Sequence, residues 1–91
     1  MNKQEQKRKE TALKLYNDLN GIMNNIYERW LDEKEYEDIN EYAVLFQPKV
    51  EEVGGQFIGM TKKPFGFKYV LEDATYHVYV SGSTYGYKRI K

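Results

Sequence analysis

From Gln56 to the C-terminus the chain alternates aromatic and branched residues with Lys, His, Thr and Gly, and turn-forming residues break the alternation three times. A period of two sustained over four such segments describes an antiparallel sheet with one apolar and one polar face. The turns also predict the register. With Glu72 and Asp73 as a two-residue loop, Phe65 faces Val80, Phe67 faces Val78 and Tyr69 faces Tyr76 on one side of the sheet. Lys68 then faces His77, and Gly66 faces Tyr79, on the other side. A turn at Gly82-Ser83 sets His77 against Lys88 and Tyr79 against Gly86. The first face needs cover from the rest of the chain. The second shows a Lys68–His77–Lys88 row beside a Tyr79 ring lying over glycines on both sides. A strand over residues 56–62, turned by Lys63-Pro64, is expected to add Ile58 and Met60 to the buried face and Phe57 to the outer one.

The cover is legible upstream. Ala12, Leu15, Tyr16, Leu19, Ile22, Met23, Ile26, Tyr27 and Trp30 recur at spacings of three and four, the stripe of a helix from about Glu5 to Leu31. Leu13 and Leu31 widen that stripe, enough to cover the sheet and leave some surface for a partner helix. Lys3, Lys7, Arg8 and Lys9 put positive charge at the unfavourable end of the helix dipole, so the first residues are expected to fray or to contact something acidic. Gly21 and the neighbouring Asn residues weaken the middle, by up to about 1 kcal/mol each against Ala, and packing must hold it. Asp32 or Asp38 can cap a second helix carrying Ile39, Tyr42, Ala43, Phe46, Val50 and Val53. Pro48 lacks a backbone donor and is expected to kink or split that helix near Gln47, and Gly54-Gly55 ends it. The fold class is α+β: a long N-terminal helix and a shorter, Pro-kinked second helix packed on one face of a four-stranded antiparallel meander. Residues 1–91 form one domain, helical over about 5–53 and sheet over 56–90.

A domain of this size buries roughly two-thirds of the surface its unfolded chain exposes. With no Cys, no disulfide or thiolate metal site can reinforce it, and nine Tyr, four Phe and one Trp must supply the core instead. No apolar run approaches the roughly 20 residues needed to span a bilayer, and no apolar stretch follows the N-terminal charges to make a signal peptide; the expected location is the cytoplasm. Net charge is zero, yet residues 1–53 hold eight basic against twelve acidic side chains while residues 54–91 hold six against two. Such polarity steers partners and can clamp the two halves together.

Catalytic constellations are missing from the pattern. The single His lies on a strand among lysines, with no carboxylate placed to orient it as a base, and no activated Ser, Cys or Thr stands beside it. The acidic run Asp32, Glu33, Glu35, Glu37, Asp38 and Glu41 lacks the alternating oxygens and central Gly of a calcium loop, so no metal or cofactor is expected. The glycines never form a phosphate loop. What remains is binding. Acids spaced along a helix or loop either favour a helix start or imitate a run of phosphates and occupy a cleft built for nucleic acid. Lys68, His77, Tyr79, Lys88 and Arg89, with Phe57 or Tyr87 nearby, form the alternative surface, which would contact phosphates and stack bases.

A short cysteine-free chain rich in Lys, Asn, Glu, Ile and Tyr resembles the small accessory proteins encoded by bacteriophages of AT-rich hosts. In its acidic-plus-aromatic layout it is similar to anti-CRISPR inhibitors. The resemblance covers the whole chain through size, composition and layout, and carries no motif. It implies a stoichiometric, non-enzymatic inhibitor of a CRISPR effector or other nuclease, acting in the host cytoplasm. On that reading Glu33, Glu35, Glu37, Asp38 and Glu41 form the acidic contact and strand tyrosines the anchors. A small nucleic-acid-binding domain using the outer sheet face is the alternative, and a structural subunit of a larger assembly the third expectation.

Overall fold

A computed structural model describes residues 3–33, 39–81 and 84–91, the backbone alone for 31–33. The elements run α1 (Lys3–Glu33), a 3-10 helix (Ile39–Tyr42), α2 (Ala43–Glu52), β1 (Gln56–Lys62), β2 (Phe65–Leu71), β3 (Ala74–Ser81) and β4 (Thr84–Arg89). The four strands form one antiparallel meander in the order β1-β2-β3-β4, and both helices cover the same face. The expected α+β architecture is the one observed.

The two hairpins pair as the turns require. Phe65 faces Val80, Phe67 faces Val78 and Lys68 faces His77 across β2 and β3, while His77 faces Lys88 and Tyr79 faces Gly86 across β3 and β4. Glu72 takes the positive φ of 58° that the tight β2–β3 connection demands. The Gly82-Ser83 turn itself lies outside the described residues.

β1 departs from simple alternation. Phe57 pairs with Tyr69 and Gly59 with Lys68, leaving Ile58 as an extra, bulged residue. One added residue flips the parity of everything beyond it. Phe57 and Met60 therefore both point at the helices, although three positions apart, and Phe57 stacks on Phe67 at 5.7 Å. The expected outer Phe57 and inner Ile58 are thus exchanged: Ile58 is 54 % exposed.

Ala12, Leu15, Leu19, Met23 and Ile26 of α1 are buried against the sheet, with Tyr16, Ile22, Tyr27 and Trp30 packed along the margins. Leu13 stays exposed, off the stripe. Rings form the centre of the core. Phe46 of α2 stacks on Phe67 at 4.7 Å, and Phe67, Tyr69 and Tyr76 continue along the sheet with centroids 6.0 and 5.5 Å apart. Phe65 meets Tyr27, Trp30 and Tyr42 at 5.6, 5.9 and 6.1 Å. Such ring pairs contribute roughly 0.5–1.5 kcal/mol beyond the area they bury.

α2 starts differently from expectation. It continues directly from the 3-10 helix, and Tyr42, at the junction, makes no side-chain capping bond; Asp38 lies outside the described residues and the Asp32 backbone is still in α1. Pro48 sits inside α2 without splitting it. The carbonyl it leaves unbonded belongs to Val44, on the solvent side of the helix, where water can take it. Gly54, at φ 85°, and Gly55 close the helix as expected, their amides donating to the Glu51 and Val50 carbonyls at 3.0 and 2.9 Å in a Schellman arrangement. Gly55 has a second reason to be glycine: a Cβ there would stand 2.9 Å from a Val50 methyl and 3.1 Å from the Val70 carbonyl oxygen. Val53, expected in the core, lies beyond the last helical turn and is 36 % exposed.

Candidate functional site

Lys68, His77, Tyr79 and Lys88 share the outer sheet face, because each occupies a position opposite another of the set or opposite a glycine. Their environments differ from those of a free stacking platform. His77 is only 7 % exposed, and its Nε2 lies 3.0 Å from Thr61 Oγ1, two strands away. Gly66, between Thr61 and Tyr79 in the ladder, carries no side chain to obstruct that reach. Thr61 donates its one hydroxyl proton to the Pro64 carbonyl at 2.8 Å, so its oxygen accepts from His77 Nε2–H and the lone pair sits on Nδ1. Burial, and then the nearby charges of Lys68 and Lys88, lower the His77 pKa. The imidazole acts as a structural strut between β3 and the β1–β2 turn.

Tyr79 lies across Gly86, where a Cβ would stand 3.1 Å from the phenolic oxygen, and Lys88 Nζ sits 5.8 Å from the ring centroid. The expected second glycine contact is different in kind. At Gly66 a Cβ would meet the Val78 carbonyl oxygen and, at 2.8 Å, Tyr79 Cα, so the strand backbone itself, not the Tyr79 ring, occupies that space. The remaining residues of the alternative surface are elsewhere. Arg89 faces Tyr76 and Tyr87 faces Val78, both on the helix side, and Tyr87 packs on Tyr16 at 4.9 Å. With Phe57 also turned inward, Tyr79 is the one Phe, Tyr or Trp ring of the proposed set that stays on the outer face among the described residues, beside the His77 imidazole at 5.5 Å.

Of the acidic set, Glu35, Glu37 and Asp38 lie outside the described residues and Glu33 is placed by its backbone only. Glu41 is exposed on the 3-10 helix. It leads into the outward side of α2, where Val44 is 71 % and Leu45 41 % exposed, Lys49 follows about one turn later and Glu51 and Glu52 about two. Two exposed apolar side chains, with three carboxylates and one lysine around them, distinguish this side of α2 from an all-polar solvated helix face.

Arg8 is the residue that pattern reading missed. It is 6 % exposed, donates to Asp73 Oδ1 at 2.6 Å, and lies 3.7 Å from Glu5 and 4.0 Å from Glu72. Burial by itself disfavours its charge, yet Tyr76, Asp73 and Glu5 together raise its pKa. The signal was present in the spacing, since position 8 extends the stripe of 12, 15, 19, 23 and 26 by one turn. This ion cluster ties the N-terminal end of α1 to the β2–β3 turn, and of the two expectations there, fraying or a contact with something acidic, Arg8 meets the second.

Among the described residues no group of His, Asp and Glu side chains has the arrangement of a metal site, and no helix is long and apolar enough to cross a membrane. Comparison with protein-family models, with curated proteins and with solved structures gave no match.

Proposed function

We propose that the protein is a non-enzymatic, phage-type inhibitor that binds a host defence nuclease, such as a CRISPR effector, or another nucleic-acid-processing protein. The observation that carries this reading is the outward side of α2, with Val44 and Leu45 exposed between Glu41 and the Glu51-Glu52 pair. Apolar anchors set among Glu41, Glu51 and Glu52, with Lys49 the one cation of α2, suit a partner whose own surface is basic, as a nucleic-acid cleft must be. Glu33, Glu35, Glu37 and Asp38 precede this surface directly in sequence and extend its acidic character. The lone His is buried and hydrogen-bonded to Thr61 between β3 and β1, which favours a structural role for it over chemistry.

The test is a DNA-cleavage assay with a panel of purified CRISPR effector nucleases, each with and without an equimolar amount of the protein. Inhibition of at least one effector is expected. Paired Glu41→Lys and Glu51→Lys changes, or Val44→Ser with Leu45→Ser, should relieve it without lowering the melting temperature. Full activity of every effector, or inhibition untouched by these substitutions, would refute the reading.

A further inference from the structure

β1 and β4 are the two edges of the sheet, and among the described residues no further strand pairs with either. The edges differ. β1 is interrupted by the bulge at Ile58, and a bulge blunts an edge against further pairing. β4 keeps an unbroken register with β3 from Thr84 to Arg89 and contains no proline. The Ile90 amide donates to the Thr75 carbonyl at 2.8 Å, which fixes the direction of the backbone groups along the strand. Because antiparallel ladders alternate, Thr84, Gly86 and Lys88 turn their amides and carbonyls to β3, as Ile90 does, while Tyr85, Tyr87 and Arg89 turn theirs outward. Each of these three residues presents one donor and one acceptor, a template for one more strand.

The neighbouring flank of α1 suits the same partner. Lys9, Tyr16 and Asn24 all meet β4: Lys9 lines a cleft with Tyr87, Tyr16 packs on the Tyr87 ring at 4.9 Å, and Asn24 accepts from the Tyr85 hydroxyl. Spacings of three and four add Leu13 and Asn20 to that flank, so the exposed Leu13 side chain lies on the β4 side of the helix. Beyond Lys9 the flank carries no charge as far as Asn24, while Glu10, Lys14, Asp18 and Glu28 fall off it. Depletion of charge beside an apolar residue and an open strand is the composition of an interface centre. The formal net charge of the chain is zero, so no overall repulsion opposes association with a second copy.

We infer that two copies of the chain pair through β4, antiparallel about a twofold axis at Tyr87, and join their four-stranded sheets into one continuous sheet. Self-complementarity selects that register. With Tyr87 on the axis it faces the partner's Tyr87, and Tyr85 faces the partner's Arg89, so every outward residue enters a pair that exchanges two hydrogen bonds. Lys88 then falls opposite the partner's Gly86, where no side chain stands, and Arg89 opposite a tyrosine ring. An axis at Lys88 or Arg89 would set like charges face to face, and an axis at Gly86 or Tyr85 would carry Arg89 past the end of the partner strand. The pairing turns Leu13 and Tyr16 of the two α1 helices toward each other beside the axis. α2 packs at the β1 edge, so both α2 surfaces stay open at the two ends of the joined sheet, and the dimer neither requires nor blocks the binding proposed for them.

Sedimentation equilibrium from micromolar to millimolar concentration measures the mass, and hydrogen exchange followed by NMR reads the edge directly. A mass twice the 10.8 kDa of one chain is expected, with the amides of Tyr85, Tyr87 and Arg89 gaining protection as concentration rises. Arg89→Pro removes an outward amide and leaves the bonds to β3 intact, and Leu13→Lys sets like charges against each other beside the axis. Each should raise the dissociation constant of the dimer at least tenfold while keeping the circular dichroism of the parent, and Ile58→Lys on the other edge should leave it unchanged. A monomer across the whole range, a mass that grows beyond two chains, or a dimer whose Tyr85, Tyr87 and Arg89 amides exchange as freely as in dilute solution would overturn the proposal. So would a dimer that survives Arg89→Pro and Leu13→Lys but is lost with Ile58→Lys or with paired Val44→Ser and Leu45→Ser changes. The exchange pattern of the parent protein decides the matter even where a variant fails to fold.

Discussion

Tyr69 is fully buried, yet its hydroxyl has no hydrogen-bond partner among the described residues. Removing that oxygen should stabilise the protein. An unsatisfied buried hydroxyl costs roughly 1–3 kcal/mol. Against this, Tyr69→Phe forfeits the dispersion contacts of a single atom, about 0.1–0.2 kcal/mol for each neighbour, or roughly 0.5–1 kcal/mol in all. The ring keeps its stacking on Tyr76 and Phe67. The net expectation is a gain of about 1 kcal/mol, which for a domain of this size raises the melting temperature by roughly 4–8 °C. Differential scanning calorimetry and urea titration measure it directly. An alkaline arm adds an independent check, because burial, with smaller contributions from Tyr76 and Tyr87, raises the Tyr69 pKa. Its unfolded counterpart ionises from about pH 10, so stability is full below that pH and falls above it by up to about 1.4 kcal/mol per unit. Tyr69→Phe should remove that part of the slope. A variant less stable than the parent by 1 kcal/mol or more would show that the hydroxyl is bonded and that the reasoning is wrong.

Two further substitutions probe the sheet. Gly66→Ala would drive a methyl group into the Val78 carbonyl and to 2.8 Å from Tyr79 Cα, backbone that can yield only by opening the β2–β3 ladder, so a loss of roughly 3 kcal/mol or more is expected in chemical denaturation. Near-parental stability of that variant would mean the strands are not so closely apposed. His77 has a lowered pKa, so the native state resists a proton that the unfolded chain accepts. Stability should be complete above about pH 6.5 and decline below it, down to the lower folded pKa, by up to about 1.4 kcal/mol per unit. His77→Gln should flatten that acid decline in urea titrations at pH 7.5 and 5, and an unchanged slope would exclude His77 as its source.

Sequence alone determined the layers and the register. Spacings of three and four place Ala12, Leu15, Leu19, Met23 and Ile26 on one side of α1, and alternation from Phe65 to Lys88 divides β2, β3 and β4 into two faces, because each period is a property of local backbone geometry. The tight turn at Glu72-Asp73 then leaves one pairing. Tertiary structure decided what depends on contacts between distant residues. The bulge at Ile58 exists because Phe57 and Met60 both gain from facing the helices, and no local rule reveals which residue the partner strand will skip. Arg8 reads locally as a surface charge at an unfavourable helix end; only the β2–β3 turn, 65 residues away, supplies the Asp73 that lets it be buried. The candidate site follows the same division. Lys88, Arg89 and Tyr87 are adjacent in sequence and look like one basic, aromatic strand end, but the pleat sends Tyr87 and Arg89 to the helix side and leaves Lys88 on the outer face over Tyr79.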